Sequence, residues 1–331
     1  MSNDIEVIVF SIDHEEEWDA FLEKKACNGT FLQSRHFLNY HPNSKYIDTS
    51  LMFYLKNQLV AICPACIKQE GKTKIFYSHA GSTYGGIVVA REILRTEIML
   101  ALLEAFETFL CNNGFDKCIL KQNNPLMDVC TMDLMNFCLY FKGYHEYKEL
   151  DLYIDCKDYN WDDVPANFSK LKKRQLKKCL NSEMTFKRLN GRKDMEEFIR
   201  VLAENLKKYD LVPYHTADDL LDLQRRFPDE IEYWGAIYDN HIVAETMLFL
   251  FKQSKCVHTH YLASDPEYKD YNPMTFIYYS VIERFKNEHV DSISWGITTE
   301  HLGVEINRNL TNNKEEFGSK HNVVSIWEKE L

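Results

Sequence analysis

Two stretches of this 331-residue chain echo one another about 180 residues apart, and the echo limits what the chain can fold into. Residues 54–61 read Tyr-Leu-Lys-Asn-Gln-Leu-Val-Ala, and residues 237–244 read Ile-Tyr-Asp-Asn-His-Ile-Val-Ala. In each, an apolar strand-like run reaches a polar turn centred on Asn57 or Asn240 and is followed by a second apolar run, the pattern of a β-hairpin. The same order of elements follows both hairpins: a strand-like segment, a polar or glycine-bearing loop, an amphipathic helix and a short β-branched strand. In the first half these are KIFYSHA, GSTYGG, a helix from about Glu92 to Asn112, and DKCILKQ. In the second they are KCVHTHYLA, SDPEYKDY, a helix from about Pro273 to Glu288, and DSISWGI. Agreement over successive elements points to a tandem duplication.

Length and composition agree with two globular halves. A content of 45% hydrophobic and 27% charged residues gives each half enough apolar surface for a core and excludes disorder. The net charge of −11 argues against a broad nucleic-acid surface. The acidic N-terminus lacks the basic and apolar regions of a secretion signal, and the longest apolar run, Leu59 to Ile67, is too short to span a membrane. Ten cysteines without a repeating spacing read as free thiols, which fits a cytoplasmic location.

One stretch breaks the acidic character. Lys170 to Lys178 (KLKKRQLKK) holds six cations and no acid. It reads either as a solvated helix face with Leu171, Leu176 and Leu180 packed inward or as an anion-binding segment. Thr216 heads a capping-box-like helix start with Asp219, and Asn272-Pro273 offers an N-cap and a first-turn proline.

The order of elements resembles the GNAT acyltransferase fold in each half, and the tandem arrangement is similar to the Fem-type peptidyltransferases and related two-domain GNAT-like proteins. The stretches that carry the resemblance are Gly29-Thr-Phe-Leu-Gln33 with Tyr40-His41, Ser78 to Gly86, Lys172-Lys-Arg174, Trp295 to Glu300 with Gly303, and Lys314 to Gly318. The resemblance implies an α/β (α+β) fold of two tandem GNAT-like domains, each a mixed, mostly antiparallel sheet flanked by helices. The expected domains are residues 1–155 and 156–331, with the donor site in the second. It implies an N-acyltransferase that moves an acyl group from acyl-CoA to a small-molecule amine, such as an amino sugar in surface-polysaccharide or cell-wall synthesis. The rivals are a tRNA-dependent aminoacyl transferase of the Fem kind and a GNAT-fold binding protein without catalysis. This chain departs from the single-domain GNAT pattern at loop 265–272, which has three acids and no glycine where a coenzyme A pyrophosphate would need close backbone N–H groups.

Acyl transfer to an amine needs a proton acceptor, donors for the carbonyl oxygen and aligned reactants. His258 and His260 alternate on one strand and project to one face, so each is a candidate acceptor beside its reading as a structural histidine. Glu300 follows the short strand at Trp295 and is the third candidate, or an exposed loop acid. Asn272, Ser264 and Arg174 are the candidate donor-binding residues, Arg174 because a guanidinium holds a phosphate bidentately. Tyr84, Gly85, Gly86 and Lys314 are the candidate substrate-binding residues, the glycines also fitting a tight turn that needs no ligand. Cys63-Pro-Ala-Cys66 has no second CxxC to complete a zinc site and reads as buried, and no metal is expected. Nucleotide hydrolysis, zinc proteolysis and α/β-hydrolase chemistry lack motif support.

Overall fold

The computed structural model describes residues 5–41 and 45–331. The chain divides into two compact units, one of residues 1–149 with 300–305 and 323–331, the other of residues 150–299 with 306–322. Through the first unit run β1 (Ile5–Val9), α1 (Glu15–Lys24), α2 (Arg35–Leu38), β2 (Ile47–Asp48), β3 (Leu51–Leu55), β4 (Gln58–Cys63), β5 (Cys66–Glu70), β6 (Thr73–Tyr77) and β7 (Val88–Val89). They are followed by α3 (Thr96–Asn112), β8 (Lys117–Lys121), α4 (Asp133–Phe141) and β9 (His145–Asp155), the strand in which the chain passes to the second unit. That unit continues with α5 (Lys170–Leu180), β10 (Thr185–Arg188), α6 (Arg192–Leu206), α7 (Ala217–Arg226), β11 (Ile231–Tyr238), β12 (His241–Phe251) and β13 (Cys256–Ser264). After α8 (Pro273–Phe285) and β14 (Ser292–Ile297) come the short β15 (Thr299–Glu300) and β16 (Glu305–Ile306), then α9 (Arg308–Glu315) and β17 (Lys320–Glu330). The division falls between Glu149 and Leu150 rather than at 155/156, and the last strand returns to the first unit. Composition changes at the loop after β9, but the strand itself runs through the division, so composition could not mark it.

Within the first unit, β1-β3-β4-β7 form one antiparallel sheet, while β2-β5-β6-β8-β17 form a run in which only β6 and β8 pair in parallel. In the second, β10 to β13 are antiparallel neighbours, β13 pairs with β14 in parallel, and β14 pairs with β9 antiparallel. Both units thus have a mixed, mostly antiparallel character, with one parallel pair each.

The two hairpins agree in detail. Lys56-Asn57 and Asp239-Asn240 form the turns, all four residues with positive φ between 49° and 62°. Two successive left-handed residues make a type I′ turn, whose twist matches that of the flanking strands, and asparagine tolerates that region better than most residues. Each hairpin also carries a register shift at the same place before its turn, between Phe53 and Tyr54 and between Ala236 and Ile237.

In the first unit α3 and α4 bury Met99, Leu102, Leu103, Phe106 and Leu139 against Phe53 and Phe76, with Phe76 and Phe106 meeting edge to face at 5.2 Å. In the second, α8 is buried nearly all round. Tyr278 stacks on Phe317 at 4.4 Å and meets Trp295 at 4.6 Å. Each such aromatic or aliphatic side chain contributes roughly 1.5–3 kcal/mol through burial.

Two local expectations change. Leu171 and Leu180 are exposed, and the buried stripe of α5 is Lys172, Leu176 and Cys179. Lys172 takes an inward place because its ammonium donates to Asn313 Oδ1 at 2.6 Å and lies 3.6 Å from Glu316, so its charge is not left unpaired. Asn272 stands before α8, but with φ +55° its side chain turns away from the helix and donates to Asp270 O instead of capping. Pro64 separates β4 from β5, so the CxxC cysteines end one strand and begin another. Both are buried as expected, and burial pushes the Cys63 thiol well above its usual range. No helix among the described residues is long and apolar enough to cross a membrane.

Candidate active site

In the second unit the parallel pair β13/β14 is short. Cys256, Val257 and His258 face Ser292, Ile293 and Ser294, and there the pairing stops. Each strand carries an irregularity at this point. In β13, His260 is the extra residue opposite the Met247–Leu248 step, and in β14, Trp295 and Gly296 together face Leu152. Such bulges bend a strand and re-aim side chains. Beyond the fork β13 runs on to Ser264 with β12 on its far edge, and among the described residues no other backbone segment replaces β14 beside it. Strand N–H and C=O groups on that edge are suited to an extended ligand, at the carboxyl ends of a parallel pair where open sheets receive ligands.

A buried polar chain crosses the three strands at the fork. His258 Nδ1 lies 3.0 Å from Ser294 Oγ, and Ser294 Oγ donates to Asp151 Oδ1 at 3.0 Å. Gly296 N also donates to Ser294 Oγ, at 3.2 Å, and Thr259 Oγ1 donates to Ser294 O at 3.3 Å. The side chains of Asp151, Ser294 and His258 are all buried. Gly296 has φ +79°, a conformation that favours glycine, and a Cβ there would stand 3.5 Å from His258 Cε1. From the last turn of α9 the buried Lys314 donates to Gly296 O at 2.8 Å and Ile297 O at 3.1 Å. Burial pushes its ammonium down to about 8, against the opposing pull of Asp151. Of the residues named from sequence, His258 and Lys314 are therefore brought to one place. Asp151, Ser294, Thr259 and Gly296 were missed; an aspartate between Leu150 and Leu152 and a serine between Ile293 and Trp295 were the available signal.

The other candidates lie elsewhere. His260 is half-buried and stacks on Phe249 at 4.6 Å, on the same side as His258 but outside its hydrogen-bonded chain. Ser264 ends β13, its carbonyl accepting from Asn205 Nδ2 at 3.2 Å. Arg174 is exposed on α5. Glu300 is exposed and belongs to the 300–305 segment of the first unit, where its carboxylate, Glu305 and His301 lie within 4.8 Å of one another. All three are exposed, and acidic surface groups gather in this way without an ion.

The corresponding fork of the first unit is filled by its own chain. There β6 and β8 pair over Ile75–Tyr77 and Lys117–Ile119. Ser78 N then donates to Ile119 O, Lys121 N donates to Ser78 Oγ, and Gly85 N donates to Lys121 O at 2.8 Å. Tyr84 is buried, and Gln33 Nε2 donates to its carbonyl. A Cβ on Gly85 would meet Ser78 C and O at 2.9 Å, so the glycine is required by the loop's own packing.

Coenzyme A, which the fold implies as acyl carrier, needs backbone donors for its pyrophosphate, and loop 265–272 has few to give. Pro266 and Pro273 have no N–H. Glu267 N donates to Asp265 Oδ1, Tyr268 N to Asp265 O, Asn272 N to Lys269 O and Thr275 N to Asn272 O. The carbonyls of Asp270, Tyr271 and Asn272 accept from Lys178 and Cys179 of α5. Asp265 is buried in an ion pair with Arg200 at 2.8 Å, and Glu267 and Asp270 add negative charge. The loop does not fit a pyrophosphate.

Residues 166–302, which include the fork, match the family model of the acetyltransferase (GNAT) domain. The chain has a tandem GNAT-like fold. Among solved structures this GNAT-like chain is similar to FemX, at 13% identity and a TM-score of 0.69, covering 98% of this chain and 97% of that one. It is similar to L-PGS from Bacillus licheniformis at 14% identity and a TM-score of 0.59, over 94% and 90% of the two chains. A tandem GNAT protein from the clavulanic acid biosynthesis pathway has 10% identity and a TM-score of 0.57, over 99% and 98%. These likenesses are of fold. No curated protein matches the sequence.

Proposed function

We propose that the chain catalyses N-acyl transfer from an activated acyl ester or thioester to a small-molecule amine, with the donor laid along the fork of the second unit. The observation that carries this reading is the parallel pair that stops at His258 and Ser294 while β13 continues, inside a segment that matches the GNAT domain. An acyl group in the fork would have strand N–H groups near its carbonyl oxygen as that oxygen gains charge, the arrangement that stabilises tetrahedral intermediates. The acceptor class we favour is an amino sugar of surface-polysaccharide or cell-wall synthesis, the class the resemblance implies. Ten free thiols suit a reducing cytoplasm.

A second reading, transfer from aminoacyl-tRNA, is favoured by a separate observation. Lys170, Lys173, Arg174 and Lys177 are exposed on α5 with no acid among them, a stripe able to meet phosphates, while loop 265–272 does not fit coenzyme A. The test offers acetyl-CoA and aminoacyl-tRNA as donors with a panel of amines that includes glucosamine, and reads amide product by mass spectrometry. Amide formed from either donor supports acyl transfer. Product from aminoacyl-tRNA alone, weakening steeply with salt, selects the second reading. No amide from either donor contradicts both, and a rise in Tm on adding a donor without product then leaves a binding protein.

A further inference from the structure

We propose that Asp151, Ser294 and His258 form a relay that makes His258 Nε2 the proton acceptor for the attacking amine. The proposal rests on the reading of acyl transfer given above. The strands β9, β14 and β13 lie side by side, and each supplies one member of the chain.

The direction of the two hydrogen bonds decides the tautomer. Ser294 Oγ donates to Asp151 Oδ1, so its single hydroxyl proton is committed there. Ser294 Oγ then has lone pairs alone to offer, and it receives Gly296 N–H on one of them. The contact of 3.0 Å with His258 Nδ1 is therefore Nδ1–H donating to Ser294 Oγ. A neutral imidazole protonated on Nδ1 is unprotonated on Nε2, so Nε2 is the acceptor nitrogen of the ring. Ser294 and Asp151 are positioning residues, because they act on the amine only through His258, fixing its tautomer and stabilising the imidazolium it becomes.

The place suits the task. His258 is the last residue of β13 that pairs with β14, so its ring stands at the point where the fork opens. Among the described residues, titratable groups lie around it on three elements: Asp151 on β9, Lys314 on α9 beside Gly296, and His260 on β13 itself. From β12 it is faced by Phe249. In the step, the amine nitrogen attacks the acyl carbonyl carbon and the new C–N bond forms. The nitrogen's proton passes to Nε2. The bond from the carbonyl carbon to the leaving sulfur or oxygen breaks with its electron pair, and the imidazolium returns the proton to that leaving group. No oxidant or further reactant is needed.

The test begins without substrate. Two-bond 15N–1H correlation spectra of the 15N-labelled full chain read the tautomer of each histidine; wild-type His258 is expected as Nδ1–H, and Ser294→Ala is expected to abolish that preference. With the donor that turns over, His258→Gln should lower kcat by roughly 10²–10⁴-fold. Ser294→Ala and the isosteric Asp151→Asn should lower kcat by about 10-fold or more while KM for the donor stays unchanged, and should move the acidic limb of the pH–rate profile. Ser294→Cys provides a further variant of near-native volume if Ser294→Ala folds poorly. A wild-type His258 protonated on Nε2, or transfer that survives His258→Gln, overturns the relay. Absence of transfer by the wild type with every donor overturns the reading on which it rests, whatever the tautomer.

Discussion

Lys314 shows how one buried side chain writes itself into the pH dependence of the whole protein. Its ammonium is held down to about 8 in the native state, below the ordinary value of 10.5 that the unfolded chain retains. Between those two values the unfolded chain binds more protons than the native one, so stability rises with pH across the window and is lost again on descending through it. Urea titrations at pH 7.5, 9 and 10 should show this rise, on the order of 3 kcal/mol at most, and it should remain in the difference curve once the Lys314→Met curve is subtracted. A difference curve that is flat from pH 8 to 10.5 would sink the assignment. From sequence, Lys314 was one cation near a family-like stretch, and its burial could not be read there. The two carbonyls it serves are exposed to it only because Trp295 and Gly296 bulge out of β14.

At the scale of elements, the hairpins are where local chemistry and tertiary structure agree most closely. The turn residues announce themselves because left-handed backbone selects for asparagine and aspartate, and the strand residues because one or both faces are apolar. Asn240 has φ +62°, a region that costs a β-branched residue about 1–2 kcal/mol, so Asn240→Val should lower stability by about that amount in chemical denaturation while Asn240→Gly should be nearly neutral. An Asn240→Val protein as stable as the parent would contradict the turn assignment. Helix α5 was less legible. Its leucines suggested the inward face, yet the buried lysine Lys172 sets the phase, because its ammonium finds Asn313 and Glu316 about 140 residues further along the chain. A partner that distant in sequence leaves no local trace.

At the scale of the molecule, the duplication was legible because it repeats an order of elements, and order survives when individual residues diverge. The difference in use between the two copies was not legible. The glycines of Ser78-His-Ala-Gly-Ser-Thr-Tyr-Gly-Gly86 fitted either a tight turn or a ligand loop, and the structure uses Gly85 to let the loop close its own unit's fork. Asp151 and Ser294 were passed over because each is one of several polar residues in its strand, and only the pairing of β9 with β14 brings them together. On this reading the fork of the second unit receives the acyl donor and the fork of the first does not. Hydrogen–deuterium exchange with and without saturating donor, acetyl-CoA and aminoacyl-tRNA each being tried, reads both forks in one experiment. Slowed exchange is expected along residues 258–264 and 294–298 with no change along 75–86 and 117–122. Protection of the first unit's fork, with residues 258–264 unaffected, would contradict it.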